Sequence, residues 1–237
     1  MVHKAIIGAV LILGACSSAN SQAGATHSTG QRDFQVGAFH KIELAGSHDV
    51  IVTVGGAPSV RAEGDSEALE RLDIRVENGE LKVGSNRRGW FSGHHGSVTV
   101  HVTVPSLDGA SIAGSGNLRV DRAEAESFAA SIAGSGDLAI GALRARRANF
   151  EIAGSGGIRA AGHAEEADIS IAGSGNVSLE SFEMRRASVS VAGSGDVSLH
   201  ATETVDGSLM GSGDLTVLGG ARCSVSRMGS GDIHCGT

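Results

Sequence analysis

Tyrosine is absent from this 237-residue chain, tryptophan occurs once, and aromatic residues make up only 3% of it. A core of packed rings and a sugar platform of several stacked aromatics are both discounted by that inventory. Two prolines rule out a collagen-like or Pro-rich stalk. Basic patches are missing as well. The formal charge is −7, and arginines come in ones and twos, which argues against nucleic acid or an anionic membrane face as a partner. The apolar run at residues 5–13 is too short to cross a bilayer as a helix, which takes about twenty residues.

Glycine is what the chain has in excess, 36 residues, roughly twice the usual share of about 7%. Its placement is periodic. Ile112-Ala113-Gly114-Ser115-Gly116-Asn117-Leu118 returns as Ile132-Ala133-Gly134-Ser135-Gly136-Asp137-Leu138 and as Ile152-Ala153-Gly154-Ser155-Gly156-Gly157-Ile158. Further copies are centred on Gly173 and Gly175, Gly193 and Gly195, Gly211 and Gly213, and Gly229 and Gly231. The steps between first glycines are 20, 20, 19, 20, 18 and 18 residues. A fixed period with one turn signature predicts a stack of similar coils.

Each period carries apolar pairs two residues apart, such as Leu138/Ile140 after the turn and Phe150/Ile152 before it. That spacing puts both members on one strand face. Stacked about 4.8 Å apart, the coils pair their backbones and ladder their aliphatic side chains. Each buried side chain contributes about 1.5–3 kcal/mol, which outweighs the glycine entropy of about 0.5–1 kcal/mol per residue. The glycines serve as structural turn residues, allowing positive φ or close approach of corners. Asn117, Asp137, Asn176, Asp196, Asp214 and Asp232 follow them, side chains suited to bonding nearby turn N–H groups.

The start of the chain reads as export machinery. His3 and Lys4 precede the apolar run, and Leu13-Gly14-Ala15-Cys16 resembles a bacterial lipobox. The resemblance implies a signal peptide at 1–15, lipid on Cys16 that anchors the protein in a membrane, and, with Ser17 next, routing to the outer membrane. The alternative is cleavage after Ala23, leaving a soluble periplasmic or secreted protein. Residues 16–32, rich in Ser, Ala, Gly and Thr, then form a flexible tether. Cys223 and Cys235 lie six residues either side of Gly229, in columns predicted to face inward near the open end. In an oxidising compartment they form a disulfide or stay as buried thiols.

Between the tether and the repeats, residues 33–105 read as short alternating strands. Asn78-Gly79 marks a tight hairpin, Ser66 caps a short helix through Leu72, and Ala45-Gly46-Ser47-His48-Asp49 is an imperfect early copy of the turn. Ile42-Glu43-Leu44-Ala45-Gly46, Val50-Ile51-Val52, Glu63-Gly64-Asp65 as a turn, Asn78-Gly79-Glu80-Leu81 and Val102-Thr103-Val104-Pro105, followed by the Gly-Ser-Gly-Asp coils at 106–237, resemble the head GIN domain family, auto-transporter adhesins by name. The resemblance implies an all-β fold, a right-handed single-stranded parallel β-helix of about 20 residues per coil with less regular N-terminal coils. It also implies a bacterial envelope location and no established activity. Gly157, where other copies carry Asn or Asp, and Arg227, in an otherwise aliphatic column, depart from the pattern.

Chemistry is sparse. Calcium-binding repeats place carboxylates about every nine residues, not once per twenty. A phosphate loop needs a helix start and a Lys. The corner serines have no companion His in register, so they read as structural. Asp121, Glu124 and Glu126, or Glu165, Glu166 and Asp168, could supply the carboxylate pair of a polysaccharide-cleaving site but read as solvated charges in coil connections. Gly89 to Gly96 holds Trp90, His94 and His95 and reads as a surface loop; the alternatives are a metal held by the two histidines, for which no third ligand is evident, and a sugar stacked on Trp90. No cofactor, metal or catalytic residue is assigned. The expected role is a non-catalytic envelope solenoid for adhesion or scaffolding, partnered by an envelope glycan or protein and open to self-association through its coil ends. The other reading is a carbohydrate-binding or carbohydrate-active β-helix.

Overall fold

A computed structural model describes residues 29–86 and 96–236. The lipobox with Cys16 and the Trp90, His94, His95 loop lie outside the described residues.

The repeats wind as predicted. Strand β8 (Gly109–Gly114), the corner, and β9 (Asn117–Val120) form the first full coil. Strands β10 (Ala123–Gly134), β11 (Asp137–Gly154), β12 (Gly157–Gly173), β13 (Asn176–Gly193) and β14 (Val197–Gly211) follow as long bent ribbons, each running from one corner towards the next. Strands β15 (Leu215–Leu218), β16 (Arg222–Gly229) and β17 (Ile233–Cys235) complete the last coils. All neighbours pair in parallel, corner on corner, so Gly134 lies beside Gly114 and Gly154, and Gly173 beside Gly193.

The corner explains the motif. The first glycines hold φ between +132° and +142°, a region in which L side chains are strained. A Cβ on any of them would come under 3.0 Å from the carbonyl oxygen of the same glycine one coil away. That oxygen is occupied, since it accepts the next coil's Ser N–H, as in Ser155 N–H to Gly134 O at 2.8 Å and Ser194 N–H to Gly173 O at 2.8 Å. The second glycines have ordinary φ and are there for close approach alone. The Asx side chains bond the adjacent coil rather than their own turn: Asp196 N–H donates to Asn176 Oδ1 at 3.0 Å, Asp214 N–H to Asp196 Oδ1 at 2.9 Å, and Asp232 N–H to Asp214 Oδ1 at 2.8 Å. Where Gly157 has no side chain to offer, the backbone substitutes, with the Asn176 N–H donating to Gly156 O at 3.1 Å.

The interior is a set of ladders. Leu118, Leu138, Ile158, Val177, Val197 and Leu215 stack in one column, and Ile112, Ile132, Ile152, Ile171, Val191 and Leu209 in another. No polar or charged residue is buried among the described residues. Cys223 and Cys235 do occupy the Val205 and Val217 columns, and they are joined as a disulfide with Cα atoms 6.4 Å apart. They are not buried as expected. Cys235 is exposed and Cys223 half-buried, because no further coil covers them within the described residues. Arg227 lies at the exposed end of the Ile112 column, its guanidinium donating to Gly231 O at 2.9 Å.

The N-terminal part departs most from expectation. Strand β1 (Thr29–Phe34) begins inside the stretch expected to be tether. Strands β2 (Lys41–Gly46) and β3 (Asp49–Val54) make a regular coil that pairs in parallel with β8 and β9, more than sixty residues away in sequence. Strand β4 (Ser59–Asp65) takes up the Glu63-Gly64-Asp65 segment expected as a turn. Helix α1 (Ser66–Arg71) is capped not by Ser66 but by Asp65, whose Oδ1 accepts the Ala68 N–H at 3.0 Å. Either residue type caps well; the extended backbone at Asp65 decides. Strands β5 (Leu72–Glu77) and β6 (Glu80–Ser85) form the hairpin over Asn78 and Gly79, both at positive φ. Strand β6 and β7 (Val98–Val104) stack outside β2 and β3, so the coils are not in chain order. Strands β1, β4 and β5 cover this end with antiparallel pairing.

Candidate functional site

The surface with the richest chemistry is the broad side of the coils, where the apolar ladder is interrupted and outward residues are charged. The carboxylates expected in connecting loops lie on strands instead: Glu124 and Glu126 on β10, Glu165, Glu166 and Asp168 on β12. Strand register sets opposite charges side by side. Arg147 stands next to Glu166, and Glu166 next to Arg186. Ion pairs follow, Arg146 Nε to Glu126 at 2.6 Å, Arg186 to Glu166 at 2.5 Å, and Arg185 to Glu203 at 2.5 Å. A shallow depression of about 410 Å³ on this side is lined by Arg146, His163, Glu165, Glu183 and Arg185.

Glycoside cleavage needs one carboxyl held protonated as general acid beside an ionised partner. Here the bias is the reverse. The hydrogen bond from Arg186, and then its charge, hold the Glu166 carboxyl below the ordinary carboxylate range, and Arg185 does the same for Glu203. Asp121 is spent on structure: its Oδ1 accepts the Val54 N–H at 2.9 Å and the Arg122 N–H at 2.7 Å, locking the first repeat coil to β3. The paired members of both carboxylate groups thus act as structural anions. In an NMR titration Glu166 is expected to titrate below its ordinary value of 4.5, and R186M should return it upward. An unshifted wild-type Glu166 would show that the pair does not form in solution.

The corner edge offers a second surface. Ala113, Ser115 and Asn117 and their counterparts in later coils are exposed along it, Gly157 alone being half-buried, and Met210 and Met228 continue the alanine column at its far end, 46% and 73% exposed. The Ser and Asx columns lie where the repeat period sets them. The charge alternation is a further feature of the stack, and the sequence carries a signal for it, since aligning the chain at its own period sets Arg147 beside Glu166. Among the described residues, no three His, Cys, Asp or Glu residues cluster as a metal site, and no helix is long and apolar enough to cross a membrane.

A family profile described as "putative auto-transporter adhesin, head GIN domain" matches residues 38–221. Solved structures share the fold. A protein described as a putative adhesin from Bacteroides fragilis superposes with a TM-score of 0.80 at 22% identity, covering 89% of this chain and 97% of its own. One from Parabacteroides distasonis, described as a putative lipid binding protein, gives 0.71 at 22% identity over 90% and 98%. A putative adhesin from Parabacteroides merdae gives 0.69 at 18% identity over 90% and 97%. No curated protein matches the chain.

Proposed function

The chain belongs to the head GIN domain family, and from that premise we propose that it is a cell-envelope solenoid whose long lateral faces serve adhesion or scaffolding rather than turnover. What supports this reading most is the pairing of Glu126, Glu166 and Glu203 with arginines, which leaves the broad side a charge-alternating surface rather than an acid–base site. The exposed Ser and Asx columns repeat at coil spacing on a backbone with every corner hydrogen-bonded to its neighbour, a rigid template for a repetitive partner such as an envelope glycan or protein.

In this reading lipid on Cys16 tethers the solenoid to the outer membrane. Expressed in a two-membrane bacterium, the full chain should fractionate with the outer membrane and carry an acyl mass increment on Cys16. C16S should be released. Presented with envelope polysaccharides, the purified protein should retain them or their protein partners without liberating fragments. Release of sugar fragments, lost in E165Q or D168N, would overturn the presentation role in favour of a carbohydrate-active one. A mature terminus at Gly24 without lipid would overturn the anchoring.

A further inference from the structure

One coil breaks the corner rule. Register places His48 where every later coil has its second glycine, since Gly46 lies beside Gly114 and Asp49 beside Asn117. A side chain fits there because the coil outside it, β6 and β7, does not repeat the corner; β6 instead carries Gly84 past Ala45 and ends at Ser85. The imidazole occupies the space so opened. Its Nε2 lies 2.7 Å from Ser85 Oγ, 37 residues along the chain. His48 is half-buried while Ser85 is exposed, so the hydroxyl is accessible and the ring behind it is partly shielded.

From this geometry we propose that Ser85 and His48 form a nucleophile–base dyad that accepts acyl groups from small, unhindered carboxylic esters. With the ring proton on Nδ1, Nε2 accepts the Oγ–H. As Oγ bonds the ester carbonyl carbon, its proton passes to Nε2. Collapse of the adduct breaks the bond to the alkoxy group, which takes that proton and leaves as the alcohol, with the acyl group on Ser85. Water repeats the sequence and releases the carboxylic acid. Burial lowers the His48 pKa, opposed by the nearby Asp49 charge, so the imidazole is a free base at neutral pH. The flanking Gly84 and Ala45 admit a short acyl group and offer little apolar surface to a long one. The Asn86 N–H next to the nucleophile is committed to Arg71 O at 2.7 Å. Acceleration therefore rests on the base, about 10²–10⁴-fold, and covalent acylation is a more sensitive readout than turnover. This activity lies at the covered end of the stack and goes beyond the presentation role without resting on it.

The corner serines supply an internal control, since Ser115, Ser135 and Ser155 are exposed hydroxyls in the same molecule. Treated with p-nitrophenyl acetate at pH 7.5 and mapped by peptide mass spectrometry, the full chain should acetylate Ser85 about 100-fold faster than those serines. S85A should remove the fast phase, and H48Q, with circular dichroism showing the fold retained, should drop Ser85 to the corner-serine rate. The wild-type rate should fall only as pH drops below the ordinary histidine value of 6.5. Ser85 reacting no faster than the corner serines, or at an unchanged rate in H48Q, would reduce the contact to a structural hydrogen bond. Should H48Q fail to fold, a wild-type rate independent of pH between 4 and 8 would overturn the proposal equally.

Discussion

Gly154→Ala is expected to lower unfolding free energy by about 2–6 kcal/mol, a loss beyond what an exposed glycine-to-alanine change produces. Two costs combine. Gly154 holds φ at +135°, and forcing a Cβ into such a region costs about 1–3 kcal/mol. The new carbon would also fall under 3.0 Å from Gly134 O, the acceptor of the Ser155 N–H at 2.8 Å. Relieving that clash pries the corners apart and leaves backbone groups short of partners, about 1–3 kcal/mol more. The neighbour cannot yield, because it is backbone fixed from both sides: Gly154 is paired with Gly134 on one edge and Gly173 on the other.

Gly37→Ala is the matching control. Nothing stands within 4 Å of a Cβ at Gly37, and its φ is not positive; replacement there should be neutral or stabilise by up to about 1 kcal/mol through the unfolded chain. Urea midpoints for the two variants decide the matter. If Gly154→Ala moved the midpoint no further than Gly37→Ala, the corners would not be in contact, and the stacked architecture would fail with them.

What was legible in the sequence divides along the same physical line. Corner positions were readable because each needs glycine for a local reason, positive φ or a neighbour's carbonyl, and the reason recurs once per coil. Ladder columns followed from the period: Val177 over Ile158, Val197 over Val177. The order of the first coils was not readable. That β2 pairs with β8, and β6 with β2, depends on contacts between segments whose own patterns are all short alternating strands. The approach of Ser85 to His48 is hidden in the sequence for the same reason. His48 is itself in the corner column, and its partner comes from a coil threaded out of order. Glu165 and Glu166 were misplaced in a loop because a strand with an outward charged face and few large apolar residues resembles one. Its inward residues are the small Ala164 and Ala167.

The core holds the second large effect. The step from Gly154 to Gly173 is 19 residues where the adjoining steps are 20, and the missing residue is taken up where register shifts, between Ile140/Leu143 on β11 and Arg159/Gly162 across to β13. Gly162 sits at that point with φ of +128°, its position for a Cβ filled by Leu143 O. The short coil therefore has no side chain to offer in the column of Leu143 and Phe182. Phe182 fills the space, fully buried, and its ring meets Phe150 edge-on, 5.6 Å between centroids and 83° between planes. Phe182→Ala should cost about 3–5 kcal/mol. The upper part of that range is expected, because the backbone around Gly162 is held by strands on both sides and cannot collapse into the cavity. A double-mutant cycle with Phe150→Leu and Phe182→Leu should show coupling of about 0.5–1.5 kcal/mol, read from urea midpoints at unchanged slope. Phe182→Ala losing less than about 2 kcal/mol, or the two leucine variants adding without coupling, would mean that the shortened coil closes on itself and needs no ring from its neighbour.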